Sequence, residues 1–124
     1  MNSTNKKIAV IGGGVAGLLA AVTAADAGAE VFLLEKMNRV GLKMGITGKG
    51  RCNITNSAPI TDFISKTPGN GKFLFSAYHK FSNTDLLDLF HTWGLETKVE
   101  RGGRVFPASD SAQEVRRLLS LIHI

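Results

Sequence analysis

The feature that most constrains this chain is the run from Ile8 to Lys36, IAVIGGGVAGLLAAVTAADAGAEVFLLEK. Its four leading apolar residues, Ile8 to Ile11, predict a short buried strand. Gly12, Gly14 and Gly17 follow at the spacing G-x-G-x-x-G. The Ala- and Leu-rich segment from Val15 to Ala27 predicts a helix packed on a sheet, stopped by Gly28. Val31 to Leu34 predicts the next strand, and Glu35 stands at its end. Strand, glycine turn, helix, strand and acid, in this order, make the βαβ unit of a dinucleotide site.

Each residue type has a physical task there. Gly12 lets the chain turn sharply out of the strand, and Gly14 leaves the backbone bare for a pyrophosphate. Gly17 lets the helix lie close on the strand. The free N–H groups and the positive dipole end of the helix then face the phosphates. Glu35 is placed to accept bonds from the adenosine ribose hydroxyls. It also argues against a phosphorylated NADP-type ribose, whose charge it would repel.

The chain has 124 residues, enough for one domain with a real core. It is 44% apolar and 20% charged, which excludes disordered and fibrous classes. The single cysteine, Cys52, excludes an internal disulfide and suits a reducing compartment. Lys6 and Lys7 precede an uncharged run, Ile8 to Ala25, that has the outline of an export signal. The glycines crowded into that run make it a poor membrane helix. No other segment is long and apolar enough to span a bilayer, so a cytoplasmic protein with no membrane partner is expected.

Residues Lys36 to Asn56, KMNRVGLKMGITGKGRCNITN, carry four glycines and no hydrophobic period, so a long irregular loop is expected. Lys36, Arg39, Lys43, Lys49 and Arg51 stand there without an acid until Asp62. Cations and bare backbone N–H groups make this loop an anion cradle. Its lack of aromatic residues to stack bases argues against nucleic acid as a partner. A non-enzymatic RNA- or partner-binding module using the basic loop 36–51 is the rival from a different class; an NAD(H)-binding Rossmann domain is the rival within the fold.

Pro59 to Pro68 predicts a short helix with Thr61 as N-cap, followed by a turn at Pro68-Gly69-Asn70-Gly71. Lys72 to Phe81 has a helical spacing that leaves Phe73 and Phe75 off the apolar stripe. Ser82 to Asp85 supplies caps for an amphipathic helix that carries Trp93 in its core stripe and ends at Gly94. His79 and His91 have no second ligand at metal spacing, so both are assigned to surface or packing roles and no metal is expected. Thr97 to Arg101 and Arg104 to Phe106 predict a hairpin turned at Gly102-Gly103 and ended by Pro107. Ser109 or Asp110 is expected to cap a last helix that starts near Ser111 and runs through Ile122, with Glu114 in its first turn. Met1 to Asn5 is expected to fray.

These residues resemble the bacterial NAD(P)/FAD-dependent oxidoreductases of the aminoacetone oxidase-like family, which includes the flavoprotein of bile-acid metabolism. The resemblance runs from about residue 6 to 117. It is carried by IGGGVAGLLAA with LLEK, by K-x-x-x-T-G-K-G-R-C-N-I-T-N from Lys43 to Asn56, and by the segment Phe73 to Val115 with GGRVFPASD. The family usually has a small residue, often Gly, where this chain has Lys49. The resemblance implies a Rossmann-like α/β fold: residues 1–124 would be the N-terminal part of a doubly wound FAD-binding domain, incomplete, with extra helices and a small hairpin. It implies noncovalent FAD, with NAD(P)H as a candidate electron donor, a small-molecule substrate, and hydride transfer through the flavin. Carried over by position, Gly12, Gly14, Ala16 and Gly17 would hold the pyrophosphate, and Glu35 with Lys36 the adenosine ribose. Lys43, Gly50, Arg51, Cys52 and Asn53 would lie along the diphosphate and flavin. Cys52 has no partner cysteine and is assigned to packing, whereas Arg51 is the better functional candidate. No catalytic residue is assigned. The ending LLSLIHI departs from the family pattern and is expected to be a truncated or mis-joined end.

Overall fold

A computed structural model describes residues 6–121. In it β1 (Lys7–Ile11) and β2 (Glu30–Leu34) pair in parallel, with Lys7 opposite Glu30 and Ile11 opposite Leu34. Parallel neighbours need a crossover. Helix α1 (Val15–Asp26) supplies it and packs on the pair through buried Leu18, Ala21 and Val22. The expected glycine stop is present. Gly28 has φ +86°, its N–H donates to Ala25 O, and the Ala29 N–H donates to Ala24 O. These two bonds satisfy carbonyls that the helix end would leave unpaired.

By contact density the chain forms two units, Met1–Cys52 with Ser111–Ile124, and Asn53–Asp110. In the first, the chain after β2 leads to a tight 3-10 segment, Met44–Gly50, broken by extended Thr47 and left-handed Gly48 and Lys49. The loop expected over Lys36 to Asn56 is therefore partly ordered, and the order comes from tertiary contact. Helix α5 (Ala112–Leu121) packs on this segment and on α1, burying Ala112, Val115 and Leu119. Its cap is Ser111, whose Oγ accepts from the Glu114 N–H at 3.3 Å, not Ser109 or Asp110. Asp110 is left-handed at φ +58° and serves the second unit instead. The expected fraying of Met1 to Asn5 and the placing of Ile122 in the last helix lie outside the described residues.

The opposite face of the two strands carries Ile11, Phe32 and Leu34, all exposed. Ile11 is 77% exposed and Leu34 56%, an apolar surface of the kind that parallel sheets normally cover.

The second unit holds β3 (Thr55–Asn56), α2 (Ile60–Lys66), α3 (Phe75–Lys80), α4 (Asn83–Thr92), β4 (Thr97–Glu100) and β5 (Arg104–Pro107). The predicted hairpin of β4 and β5 is antiparallel, and β3 joins its other side to give the order β3-β5-β4. Pro107, opposite Thr97, is the last residue of β5, so the hairpin ends there as expected. Phe90, Leu95, Val105, Phe106 and Pro107 form the buried interior. Ser82 and Asp85 make a reciprocal capping box at α4, as S-x-x-D leads one to expect. At the far end Gly94 (φ +86°) closes α4 through Leu95 N–H to Phe90 O. Trp93 is only half-buried, tilted against Phe90 at 5.8 Å between ring centroids.

Two helix expectations are corrected here. Pro59, not Thr61, occupies the α2 N-cap, and no side chain caps that end. Proline there has no N–H to satisfy and a φ suited to entering a helix. The segment Lys72 to Phe81 is not one helix: a 3-10 turn, Gly71–Leu74, precedes α3. A side chain at Gly71 would lie 2.2 Å from Ile64 O, so the turn is pressed against α2 and tightened. Phe73 and Phe75 are exposed, as their place off the stripe predicts.

Candidate nucleotide-binding site

The turn between β1 and α1 is built from backbone. Gly12 leaves β1 with φ +100°, a conformation that L side chains rarely adopt, and its N–H donates to Leu34 O at 2.7 Å. Gly14 is the α1 N-cap, with extended φ and ψ of −73° and −179°. It has no side chain to cap the helix, and no acid stands in the first turn. The first intrahelical bond is Leu18 N–H to Gly14 O at 2.9 Å. The N–H groups ahead of it have no intrahelical acceptor, and they carry the positive end of the helix dipole. A side chain at Gly14 would meet nothing within 4 Å, so the backbone there faces open space. Gly17 is the opposite case: a Cβ would stand 1.9 Å from Gly12 O. Ala16 is exposed on the first turn of α1.

Glu35 comes back to this turn. Its Oε2 accepts from the Gly13 N–H at 2.7 Å, and its Oε1 from the Met37 N–H at 2.8 Å. These bonds, Met37's first, hold its carboxyl below the usual carboxylate range. An ionised carboxylate offers about four acceptor sites, so it can still receive ribose hydroxyls. An open backbone stretch, an uncapped helix N-terminus and a fixed carboxylate on the same turn fit an adenosine diphosphate moiety.

Lys36 is exposed next to Glu35 and helps hold its carboxyl down. The loop is anchored to the turn by the Gly41 N–H, which donates to Gly13 O at 2.7 Å. Further on, Lys43 and Gly50 are exposed and Arg51 is half-exposed. Gly48, Lys49, Gly50 and Cys52 all have positive φ, at 56°, 57°, 85° and 62°. Lys49 thus takes a backbone conformation that favours glycine at the position where the resembling family usually has a small residue. Cys52 is 4% exposed, and burial pushes its thiol up, partly offset by a hydrogen bond with the Thr47 side chain. A buried, protonated thiol is inert, in keeping with a packing role.

Asn53 belongs to the second unit. In the amide orientation that satisfies its neighbours, its nitrogen donates to Thr55 O at 3.0 Å and Val105 O at 3.2 Å. Asn56 was not singled out from the sequence, yet it organises the Gly102-Gly103 turn. Its Nδ2 donates to Gly102 O at 2.8 Å, its Oδ1 accepts from the Ala58 N–H at 2.8 Å, and its carbonyl accepts from Asn83 Nδ2 at 2.7 Å. The segments N-I-T-N and GGRVFP are therefore partners in one sheet. Gly13 was also missed, because the glycine pattern leaves its position unspecified; the only signal was an extra glycine. His91 Nε2 lies 2.8 Å from Thr97 Oγ1, and His79 stacks on Phe75 at 4.0 Å. Among the described residues no group of three or more His, Cys, Asp or Glu could hold a metal ion, and no helix is long and apolar enough to cross a membrane.

Comparison with known proteins agrees with this geometry. Residues 6–122 match the HI0933-like protein Rossmann domain. The chain is 39% identical over 117 residues to a 3-dehydro-bile acid delta(4,6)-reductase of Clostridium scindens, covering 93% of this chain and 28% of that protein. It is 32% identical over 111 residues to a ribosomal RNA dihydrouridine synthase of Escherichia coli, covering 89% of this chain and 27% of that protein. A ribosomal RNA dihydrouridine synthase of Haemophilus influenzae is 30% identical over 112 residues, covering 90% and 27%. The chain thus spans little more than a quarter of the length of the curated relatives it matches. With the βαβ unit, the glycine turn and Glu35 in place, the chain belongs to the HI0933-like Rossmann-domain family.

Proposed function

We propose that this chain is the FAD-binding part of a flavin-dependent reductase acting on a small molecule. The observation that carries the reading is the pinned Glu35 carboxylate beside the uncapped, open N-terminus of α1. That pairing suits an adenosine diphosphate group. The names of the relatives support flavin-type redox chemistry over simple nucleotide binding: one is a reductase, and two make a dihydro-nucleoside. On this reading residues 1–124 are one portion of the cofactor domain.

The chain's own residues bind and orient. Gly12 turns the chain out of β1, Gly14, Ala16 and Gly17 present backbone N–H groups to the diphosphate, and Glu35 with Lys36 takes the ribose. Lys43, Gly50 and Arg51 supply positive charge and polar backbone toward the diphosphate and flavin, while Cys52 packs. Bound FAD supplies the hydride-carrying ring system, and NAD(P)H is the candidate electron donor. Glu35 repels a 2′-phosphorylated nucleotide from this site, so a donor NADPH would bind elsewhere.

The test is uptake of FAD by the purified full chain, read as a flavin absorbance band that stays with the protein on gel filtration. Colourless protein that ignores added FAD but binds NAD refutes the flavin reading. A second reading, in which the base to be reduced lies in RNA, is favoured by the two dihydrouridine synthase relatives and the basic loop. RNA binding with a steep salt dependence would favour it.

A further inference from the structure

The G-x-G-x-x-G pattern says nothing about the residue between its first two glycines, yet this chain has Gly13 there. Gly13 is not among the glycines with positive φ, so its conformation does not call for glycine. Space does. A Cβ at this buried position would stand 2.6 Å from Val40 Cγ1 and 3.2 Å from Glu35 Oε2. Its two backbone groups are committed in different directions. The N–H donates to Glu35 Oε2 at 2.7 Å, and the carbonyl accepts from the Gly41 N–H at 2.7 Å. One peptide neighbourhood thus ties together the glycine turn, the acid at the end of β2 and the start of the cationic loop.

Resting on the adenosine-binding reading above, we propose that Gly13 is a positioning residue that sets where Glu35 meets the adenosine ribose. The carboxylate is aimed by Gly13 on one oxygen and Met37 on the other, which leaves its remaining lone pairs pointing in fixed directions. A Cβ at 13 crowds Oε2, which must give by a few tenths of an ångström, and crowds Val40 more tightly still. Glycine here thus serves ligand discrimination, while Gly17 serves helix packing.

The experiment compares binding of ADP and 2′-deoxy-ADP to the full chain by titration calorimetry. The wild-type chain is expected to prefer ADP by roughly tenfold, the worth of one charge-assisted hydrogen bond. Gly13→Ala should bring that preference close to one. Gly13→Ala/Val40→Ala removes the 2.6 Å conflict and leaves the 3.2 Å contacts with Val40 Cβ and Glu35 Oε2, so it restores folding if the single variant is compromised, and its preference should stay low. Val40→Ala alone should keep the wild-type preference. A wild-type preference in either Gly13 variant overturns the proposal, as does a wild-type chain that binds both nucleotides equally. A wild-type chain that binds neither ADP nor FAD instead refutes the nucleotide reading on which the proposal rests.

Discussion

Gly14 and Gly17 lie on one turn and should fail in opposite ways when given a methyl group. At Gly17 the new Cβ would be 1.9 Å from Gly12 O, 3.1 Å from Gly12 C and 3.4 Å from Val10 Cγ1. The closest obstacle is backbone and cannot swing aside. The contact is 1.1 Å inside the 3.0 Å limit that Cβ atoms essentially never cross, so the first turn of α1 must lift from β1 by about that amount. Leu18 and Val22, 3% and 2% exposed, are packed by that turn and would be loosened. Overpacking of this kind costs about 1–3 kcal/mol, which in a chain of this size lowers the melting temperature by roughly 5–15 °C. At Gly14 the backbone angles suit any residue, and a Cβ meets nothing within 4 Å. The small loss of capping and the gain from a stiffer unfolded chain offset each other to within about 0.5 kcal/mol. The methyl group does stand on the backbone that a diphosphate would approach, so FAD affinity should fall at least about tenfold. Thermal melts by circular dichroism and FAD titrations by flavin fluorescence read the two quantities separately. If Gly14→Ala melts as low as Gly17→Ala while holding FAD normally, the assignment of one glycine to the ligand and the other to packing is wrong.

Other substitutions test the remaining elements. Gly103→Ala places a Cβ 2.7 Å from Asn56 Oδ1 at a φ of +73°, and should destabilise the second unit by about 2 kcal/mol in urea unfolding. Ser82→Ala removes the acceptor for the Asp85 N–H at the start of α4 and should cost about 1 kcal/mol in the same assay. Lys49→Gly relieves a left-handed side-chain residue at φ +57° and should raise the melting temperature slightly; a lowered value would show that the lysine makes a compensating contact. Glu35 has a folded pKa below its unfolded one, so its bonds to Gly13 and Met37 stabilise fully above the ordinary carboxylate pKa and are lost only as pH falls through the lowered value. A carbon-detected NMR titration should find the Glu35 midpoint below that of a free glutamate; a midpoint at or above it contradicts the hydrogen bonding.

Much of the candidate site is written locally. Gly12 must take a positive φ and Gly17 must tolerate a backbone oxygen at its α-carbon, so both positions demand glycine whatever surrounds them. Glu35 is legible because the end of a parallel strand brings its acid to the turn after the neighbouring strand. Gly13 and Asn56 were not legible. Their importance comes from Val40 and Gly41 in one case, and from Ala58, Asn83 and Gly102 in the other, and no periodicity joins such positions.

The same division runs through the fold. The amino-acid sequence by itself determined the strand–turn–helix–strand order from Lys7 to Leu34, the capping box at Ser82 and Asp85, and the glycine ends of α1 and α4. Each of these follows from backbone preference and short-range hydrogen bonding. Only the tertiary structure decided that Thr55 and Asn56 form a third strand beside β5, that the turn before α3 tightens against α2, and that Met44 to Gly50 folds against α5. Those segments are too short or too glycine-rich to carry a period, so their conformation is set by the distant surfaces they bury against.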